Sequence, residues 1–303
     1  MAATKVPTRR QILMAARAAE QDQSPGLTVA MLAEHAGVSE KHFQRAFKRV
    51  VGESPKKYVR RLRLQTAAYM LKWSDLPVTQ IAMQAGFDTH AGFTKAFAKA
   101  YGLAPSDFRQ ASGVAPYLRR REEEDAAADA EISAATLDAQ RLVVRIEQTP
   151  PTRIAAMRHT GPTEETSRVW PRFMEWADRR GLVKPDATFL GVHNDYWDPN
   201  AAGRYRYDAA VVVPDGFEPD GEAVTLVMPG GPVAKTEFRG SLADAEAAWR
   251  RFAEQWLPIS GHGFRIHYAY DIYPASLVTG GALQRVVQSL VGIEATLCIP
   301  ITP

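Results

Sequence analysis

The sequence predicts a two-domain protein, α followed by α+β: an all-α tandem domain organised on one long helix, then a domain of two strand-helix-strand-strand repeats. Three observations carry this. A short helical unit occurs twice before residue 112, with its landmarks 49 or 50 residues apart. From Leu142 onward the hydrophobic period changes from helical to alternating. The second half then repeats in its turn, with Ala155, Gly161, Trp170, Arg172 and Phe173 answered by Ala234, Gly240, Trp249, Arg251 and Phe252, all 79 residues further on. A chain of 303 residues is long enough for two cores.

In chain order, Thr8 caps an opening helix to about Asp22, with Ile12, Ala15, Ala16 and Ala19 inward, and Ser24, Pro25 and Gly26 break it. Thr28 caps a short helix from Val29 to His35, and Gly37 follows, where a left-handed turn costs least. Ser39 caps the next helix, which turns Phe43, Phe47 and Val50 inward and leaves Lys41, Gln44, Arg45, Lys48 and Arg49 on its open face. The long helix, SPKKYVRRLRLQTAAYMLKW, starts at Ser54 with Pro55 in its first turn and runs to Trp73. Tyr58, Leu62, Thr66, Tyr69 and Trp73 form its expected apolar stripe, and Lys56, Lys57, Arg60, Arg61 and Arg63 charge its first half. At 1.5 Å per residue it spans roughly 30 Å, close to the roughly 34 Å between major-groove segments on one face of B-DNA. The repeat then returns: Leu32, Ala33 and Gly37 match Ile81, Ala82 and Gly86, while Phe43, Phe47, Gly52, Pro55 and Tyr58 match Phe93, Phe97, Gly102, Pro105 and Phe108.

Short helix, glycine turn and basic helix make a helix-turn-helix whose second helix suits the major groove. Charge agrees. Residues 1–121 carry 20 Lys and Arg against 8 Asp and Glu, a net of +12; the remainder carries 17 against 26, a net of −9, which together give the overall +3. The first part suits a polyanion and the second does not.

Residues 10–110 resemble the AraC/XylS transcription regulators, most closely in IAMQAGFDTHAGFTKAFAKAYGLAPSDFR. The resemblance implies two helix-turn-helix units in adjacent major grooves of a bent site. It places base contacts on Lys41, Gln44 and Arg45, with Arg45 suited to guanine and Gln44 to adenine; Lys48, Arg49 and Arg61 add backbone charge. In the second unit Ala91 and Gly92 stand where the family has polar residues, so that helix is expected to lack a good cap. His90, Thr94 and Lys95 are its remaining contacts, with His90 as well read as a solvated turn residue.

Residues 112–141, with RRREEED and an alanine-rich tract, form the linker between domain one (1–111) and domain two (142–303). In domain two, RLVVRIEQ, RIAAMRHT, FLGVHND, RYRYDAAVVV, PVAKTEFRG, FRIHYAYDIY and TLCIPI read as strands, and WPRFMEWADRRG and AEAAWRRFAEQWLPISG as amphipathic helices. The order of RHTGP, W-x-x-F, LGVHND, RYDAAVVV, GGPVAKTEFRG, QWLPISG and YDIY resembles the GyrI-like effector-binding domain, and the whole chain resembles regulators of the Rob type. That resemblance implies an aromatic groove with a central acid, often receiving lipophilic cations. The acid falls on Asp271, an aspartate where glutamate is usual. On HYAYDIY, His267, Ala269, Asp271 and Tyr273 face one way and Tyr268, Tyr270 and Ile272 the other. Asp271 and Tyr273 are ligand candidates, against the plainer reading of a strand-end carboxylate bonded to Tyr273 or to backbone. Trp197 is a candidate pocket edge, and Trp176 and Tyr207 are intermediate candidates. Trp170, Phe173, Trp249 and Phe252 read as core.

Signatures of enzymes are thin. No G-x-S-x-G, P-loop, G-x-G-x-x-G or H-E-x-x-H occurs. His193 and Asp195 form an H-x-D pair better read as a loop hydrogen bond than as metal ligands. Cys298, the one cysteine, permits no intramolecular disulfide and reads as core. With neither a leader-like start nor an apolar run of membrane-spanning length, the expectation is a cytoplasmic regulator without cofactor or membrane partner. As a monomer it would bind an asymmetric double-stranded promoter site, a small cationic or amphipathic effector and RNA polymerase. A hydrolytic second domain and a ligand-independent DNA-binding regulator remain the alternatives.

Overall fold

A computed structural model describes residues 7–112, 142–195, 203–264, 268–274 and 293–302. The chain divides into two compact units, the first made of residues 1–115 with 220–224 and the second of the remainder. The linker residues 113–141 lie outside the described residues.

The first unit contains α1 (Arg9–Gln21), α2 (Val29–His35), α3 (Glu40–Val51), α4 (Pro55–Trp73), α5 (Val78–Gln84), α6 (His90–Tyr101) and α7 (Pro105–Ser112). Thr8 and Gln11 close a reciprocal capping box at α1, Thr28 accepts from Met31 N at α2, and Ser54 accepts from Lys57 N at α4. The two turns are alike: Gly37 and Gly86 sit at φ of 67° and 70°, a region that favours residues without Cβ.

Two cores result. Ile12, Leu32, Phe43, Phe47, Tyr58 and Leu62 belong to the first, and Leu64, Leu71, Ile81, Phe93, Phe97 and Phe108 to the second. The buried residues of α4 are Pro55, Tyr58, Val59, Leu62, Leu64, Ala67, Ala68 and Leu71, so the single stripe through Thr66, Tyr69 and Trp73 is not what the helix buries. The reason is a double role. Ile12, Ala15, Ala16 and Ala19 of α1 are answered at a constant spacing of 52 by Leu64, Ala67, Ala68 and Leu71 of α4, all buried. Its first half closes the first core, its second half opens the second core, and the buried face switches between them. Arginines lock the same joint in each repeat. Arg63 donates to the carbonyls of Gln23, Ser24 and Leu27 after α1, and Arg109 to those of Leu71, in the last turn of α4, and Leu76, just beyond it.

The capping of the basic helices reverses the expectation. Ser39 makes no side-chain cap bond at α3. At α6 the hydroxyl of Thr89 accepts from Gly92 N at 3.1 Å. Gly92 is part of the cap, because a Cβ there would lie 2.9 Å from Thr89 Oγ1. Thr89→Ala is therefore expected to lower stability by about 1 kcal/mol and Ser39→Ala by far less. Thermal unfolding followed by helical circular dichroism checks this, and equal losses would refute it.

In the second unit, β1 (Val144–Thr149), β2 (Thr152–Gly161), β3 (Phe189–His193), β4 (Tyr205–Val212), β5 (Val224–Met228), β6 (Gly231–Gly240), β8 (Ala269–Tyr273) and β9 (Ile293–Thr302) form one sheet in the order β1-β6-β9-β8-β3-β4-β2-β5. A short β7 (Gly263–Phe264) pairs with β9. A 3₁₀ turn (Thr163–Arg168) leads into α8 (Val169–Arg179) after β2. After β6, α9 (Leu242–Arg250) continues through a π-helical stretch, Arg251–Trp256, to Ile259.

The predicted repeat is visible in the register. Ala155 pairs with Val211 and Ala234 with Ile299; Gly161 pairs with Tyr205 and Gly240 with Ile293. The repeats interlock, because β1 pairs with β6 and β5 with β2. They meet where β3 pairs antiparallel with β8, and Gly191 stands opposite Asp271. The β3–β4 and β8–β9 registers make β8 the equivalent of β3 at a spacing of 80. Gly191 and Asp271 are thus equivalents of each other, and their pair lies on the pseudo-twofold axis.

Candidate functional site

On α3, Phe43 and Phe47 are fully buried while Lys41, Gln44, Arg45, Lys48 and Arg49 are exposed, so the predicted reading face is free of the core. Gln44 Nε2 donates to Glu40 Oε1 at 2.8 Å, a bond along the helix surface that a base edge would have to replace. The corresponding face of α6 is thinner. His90 and Lys95 are exposed, but Thr94 is half-buried and its hydroxyl is turned into the protein without a partner. Arg61 is committed elsewhere: it donates to Glu53 Oε1 at 3.0 and 2.7 Å, and its guanidinium lies 5.0 Å from the Tyr58 ring centre.

The second constellation gathers at the axis of the second unit, on the side of the sheet that carries α8 and α9. Asp271 is 5% exposed. Its Oδ2 accepts from His193 Nε2 at 2.8 Å and from the Tyr273 hydroxyl at 3.1 Å, while Oδ1 is buried with no partner. A carboxylate only accepts, so the hydrogen in the first bond belongs to Nε2. His193 Nδ1 lies 2.9 Å from the Tyr205 hydroxyl. Trp170 Nε1 donates to the Tyr207 hydroxyl at 3.1 Å, and the Trp170 ring meets that of Tyr273 edge-on at 5.3 Å. From the other helix, Trp249 packs against His193 at 5.6 Å. Glycine at 191 is required here, since a Cβ would fall 2.2 Å from the Tyr207 hydroxyl oxygen.

Of the predicted residues, Asp271, Tyr273 and Tyr207 come together. Trp176 does not: it is buried beside Phe173 and Phe217, which is core packing. Trp197 and His267 lie outside the described residues. Phe173 and Phe252 are fully buried core, as expected, whereas Trp170 and Trp249 are buried but reach the Asp271 cluster. His193 and Tyr205 are members that sequence reasoning missed. The H-x-D pair splits, for Asp195 takes the backbone N–H and guanidinium of Arg206 while His193 turns to Asp271. Cys298 is buried, and burial pushes its thiol well above the ordinary range.

Burial also raises the hydroxyls of Tyr207 and Tyr273 well above 10.0, and the nearby Asp271 charge adds to both. Tyr270, on the opposite face of β8, is raised chiefly by burial. Raised folded-state values contribute stability that is fully present below about pH 10 and is lost as pH climbs toward them. Alkaline titration should therefore show these phenols ionising only as the second unit unfolds, with phenolate absorbance and loss of tryptophan packing coinciding. Ionisation of all ten tyrosines near pH 10 in a folded chain would refute it.

Among the described residues no helix is long and apolar enough to cross a membrane. The fold and the exposed basic helices define a tandem helix-turn-helix protein fused to an α+β domain. Comparison agrees: residues 32–111 match a helix-turn-helix domain family, and residues 143–276 match the GyrI-like small molecule binding domain. The chain is 37% identical over 98 residues to the transcriptional regulator Rob of Salmonella typhimurium, covering 31% of this chain and 34% of that one. It is 39% identical over 82 residues to an uncharacterized HTH-type transcriptional regulator of Haemophilus influenzae, covering 27% and 28%. With the probable transcription factor PqrA of Proteus vulgaris it shares 35% over 88 residues, 29% of this chain and 72% of that one. The chain spans about a third of the length of the first two relatives. It belongs to the AraC-type helix-turn-helix transcription regulators, with a GyrI-like small-molecule domain following.

Proposed function

We propose that the protein is a sequence-specific DNA-binding regulator whose second unit senses a small cationic or amphipathic ligand. The observation that carries the first part is α3, a helix anchored by two fully buried phenylalanines with five polar or basic side chains exposed on its outer face. Lys41, Gln44 and Arg45 read bases, and Lys48 and Arg49 hold phosphate. α6, with His90 and Lys95 outward and the Thr94 hydroxyl inward, chiefly positions the duplex. One chain supplies two groove-binding helices, so a monomer on an asymmetric site suffices. Ligand binding in the second unit alters DNA affinity or recruitment of RNA polymerase.

The ligand half of the reading is supported by Asp271, a buried carboxylate with one unused oxygen among Trp170, Tyr207, Tyr273 and Trp249. Rings around a cation contribute about 0.5–2 kcal/mol each. Two measurements on the full chain test the halves separately. Arg45→Ala should weaken a site selected from random DNA by about 1–3 kcal/mol and scarcely affect random duplex. Equal loss on both would leave Arg45 a phosphate contact only. A thermal-shift panel of lipophilic cations, neutral aromatics and anions should give stabilisation by cations, reduced in Asp271→Asn. A panel without response would remove the sensing half and leave a ligand-independent regulator.

A further inference from the structure

The chemistry of the ligand can be narrowed, resting on the sensing reading above, from how the Asp271 cluster uses its hydrogen bonds. The surrounding polar groups are already matched to one another. Trp170 Nε1 is given to Tyr207, the Tyr273 hydroxyl to Asp271 Oδ2, and the Tyr205 hydroxyl faces His193 Nδ1. Asp271 Oδ1 is the buried acceptor of the cluster that receives nothing. A quaternary ammonium or phosphonium ion would bring charge and no donor to that oxygen. An ammonium or amidinium brings both, as a short charge-assisted bond.

His193 adds a second constraint. Its Nε2 donates to Asp271 Oδ2, which also accepts from the Tyr273 hydroxyl, so that oxygen is already taken twice. A donor brought by a ligand is therefore directed to Oδ1.

We propose that the second unit receives a cation carrying its own N–H donor, an aryl-bearing ammonium or amidinium that binds Asp271 Oδ1. No covalent bond changes.

The test is calorimetry on the full chain with 2-(1-naphthyl)ethylammonium and its N,N,N-trimethyl derivative, a pair matched in ring and charge. The primary ammonium should bind about tenfold or more tighter than the quaternary ion. Asp271→Asn should erase that preference, and Asp271→Ala serves if the asparagine variant does not fold. Quaternary binding equal to or tighter than ammonium binding, both weakened by Asp271→Asn, would overturn the donor and leave sensing intact. Binding of neither probe would overturn both readings.

Discussion

Replacing Asp208 by alanine is expected to cost the second unit about 3–5 kcal/mol, the penalty for breaking a buried ion pair by removing one partner. Asp208 is fully buried and stands directly across the β2–β4 ladder from Arg158. The guanidinium gives two parallel bonds, Nε to Oδ1 at 2.9 Å and Nη2 to Oδ2 at 2.8 Å, and Asn194 Nδ2 adds a third at 2.9 Å. Alanine strips the carboxylate from an Arg158 side chain that is only 12% exposed. Asp208→Asn keeps the volume and should lose less. Replacing both partners with apolar residues should lose least, because no desolvated charge then remains. Urea unfolding followed by tryptophan fluorescence reads chiefly this unit, since five of the six tryptophans, Trp170, Trp176, Trp197, Trp249 and Trp256, belong to its stretch of sequence and Trp73 to the first. A loss below about 1 kcal/mol for Asp208→Ala would mean that desolvation already offsets most of the attraction.

Parts of the fold were legible in the sequence and others were not. The tandem repeat could be read because phenylalanines at four-residue spacing and glycines at left-handed turns leave few alternatives: Phe43, Phe47, Gly37 and their counterparts fall where expected. The face of α4 could not, because a period assumes one neighbour and this helix has a different core for each half. The cap of α6 was missed because reading from Ala91 and Gly92 overlooked Thr89, two residues before Ala91, which defines the helix start. β5 was missed because VTLVM follows a Pro-rich and Gly-rich stretch and does not alternate, and its place beside β2 depends on exchange between the repeats.

The ligand cluster was half legible for a related reason. Alternation in HYAYDIY puts Ala269, Asp271 and Tyr273 on one face, and the structure keeps them there. His193 comes from a strand 78 residues away, joined to Asp271 only by the pairing of two pseudo-equivalent strands. Trp170 and Trp249 are buried, as amphipathic spacing predicts, yet each also turns its edge or face to that axis. A usable signal did exist: residues 79 or 80 apart in an internal repeat with twofold symmetry lie at equivalent distances from the axis, which brings Trp170, Trp249 and His193 into view together.

Phe97→Ala is expected to be among the most damaging single changes in the first unit, at about 3–5 kcal/mol. The ring is fully buried, stacks on Tyr101 at 4.6 Å, and meets Phe93 at 5.5 Å and Phe108 at 5.2 Å. Its removal loosens α6 against α7 while leaving Phe43, Phe47 and Tyr58 in the other core. Phe47→Ala, the equivalent change, should cost a similar amount of stability because Phe47 meets Phe43 at 5.3 Å and Tyr58 at 5.4 Å in the same manner. The two should differ on DNA. If α3 reads bases and α6 mainly holds phosphate, Phe47→Ala reduces discrimination between a selected site and random duplex. Phe97→Ala instead weakens both together and makes binding less steeply dependent on salt, as fewer phosphates are neutralised. Melting curves and salt-dependent binding of the two variants decide this. A loss of discrimination in Phe97→Ala as large as in Phe47→Ala would mean that α6, despite its sparse polar face, reads sequence as well.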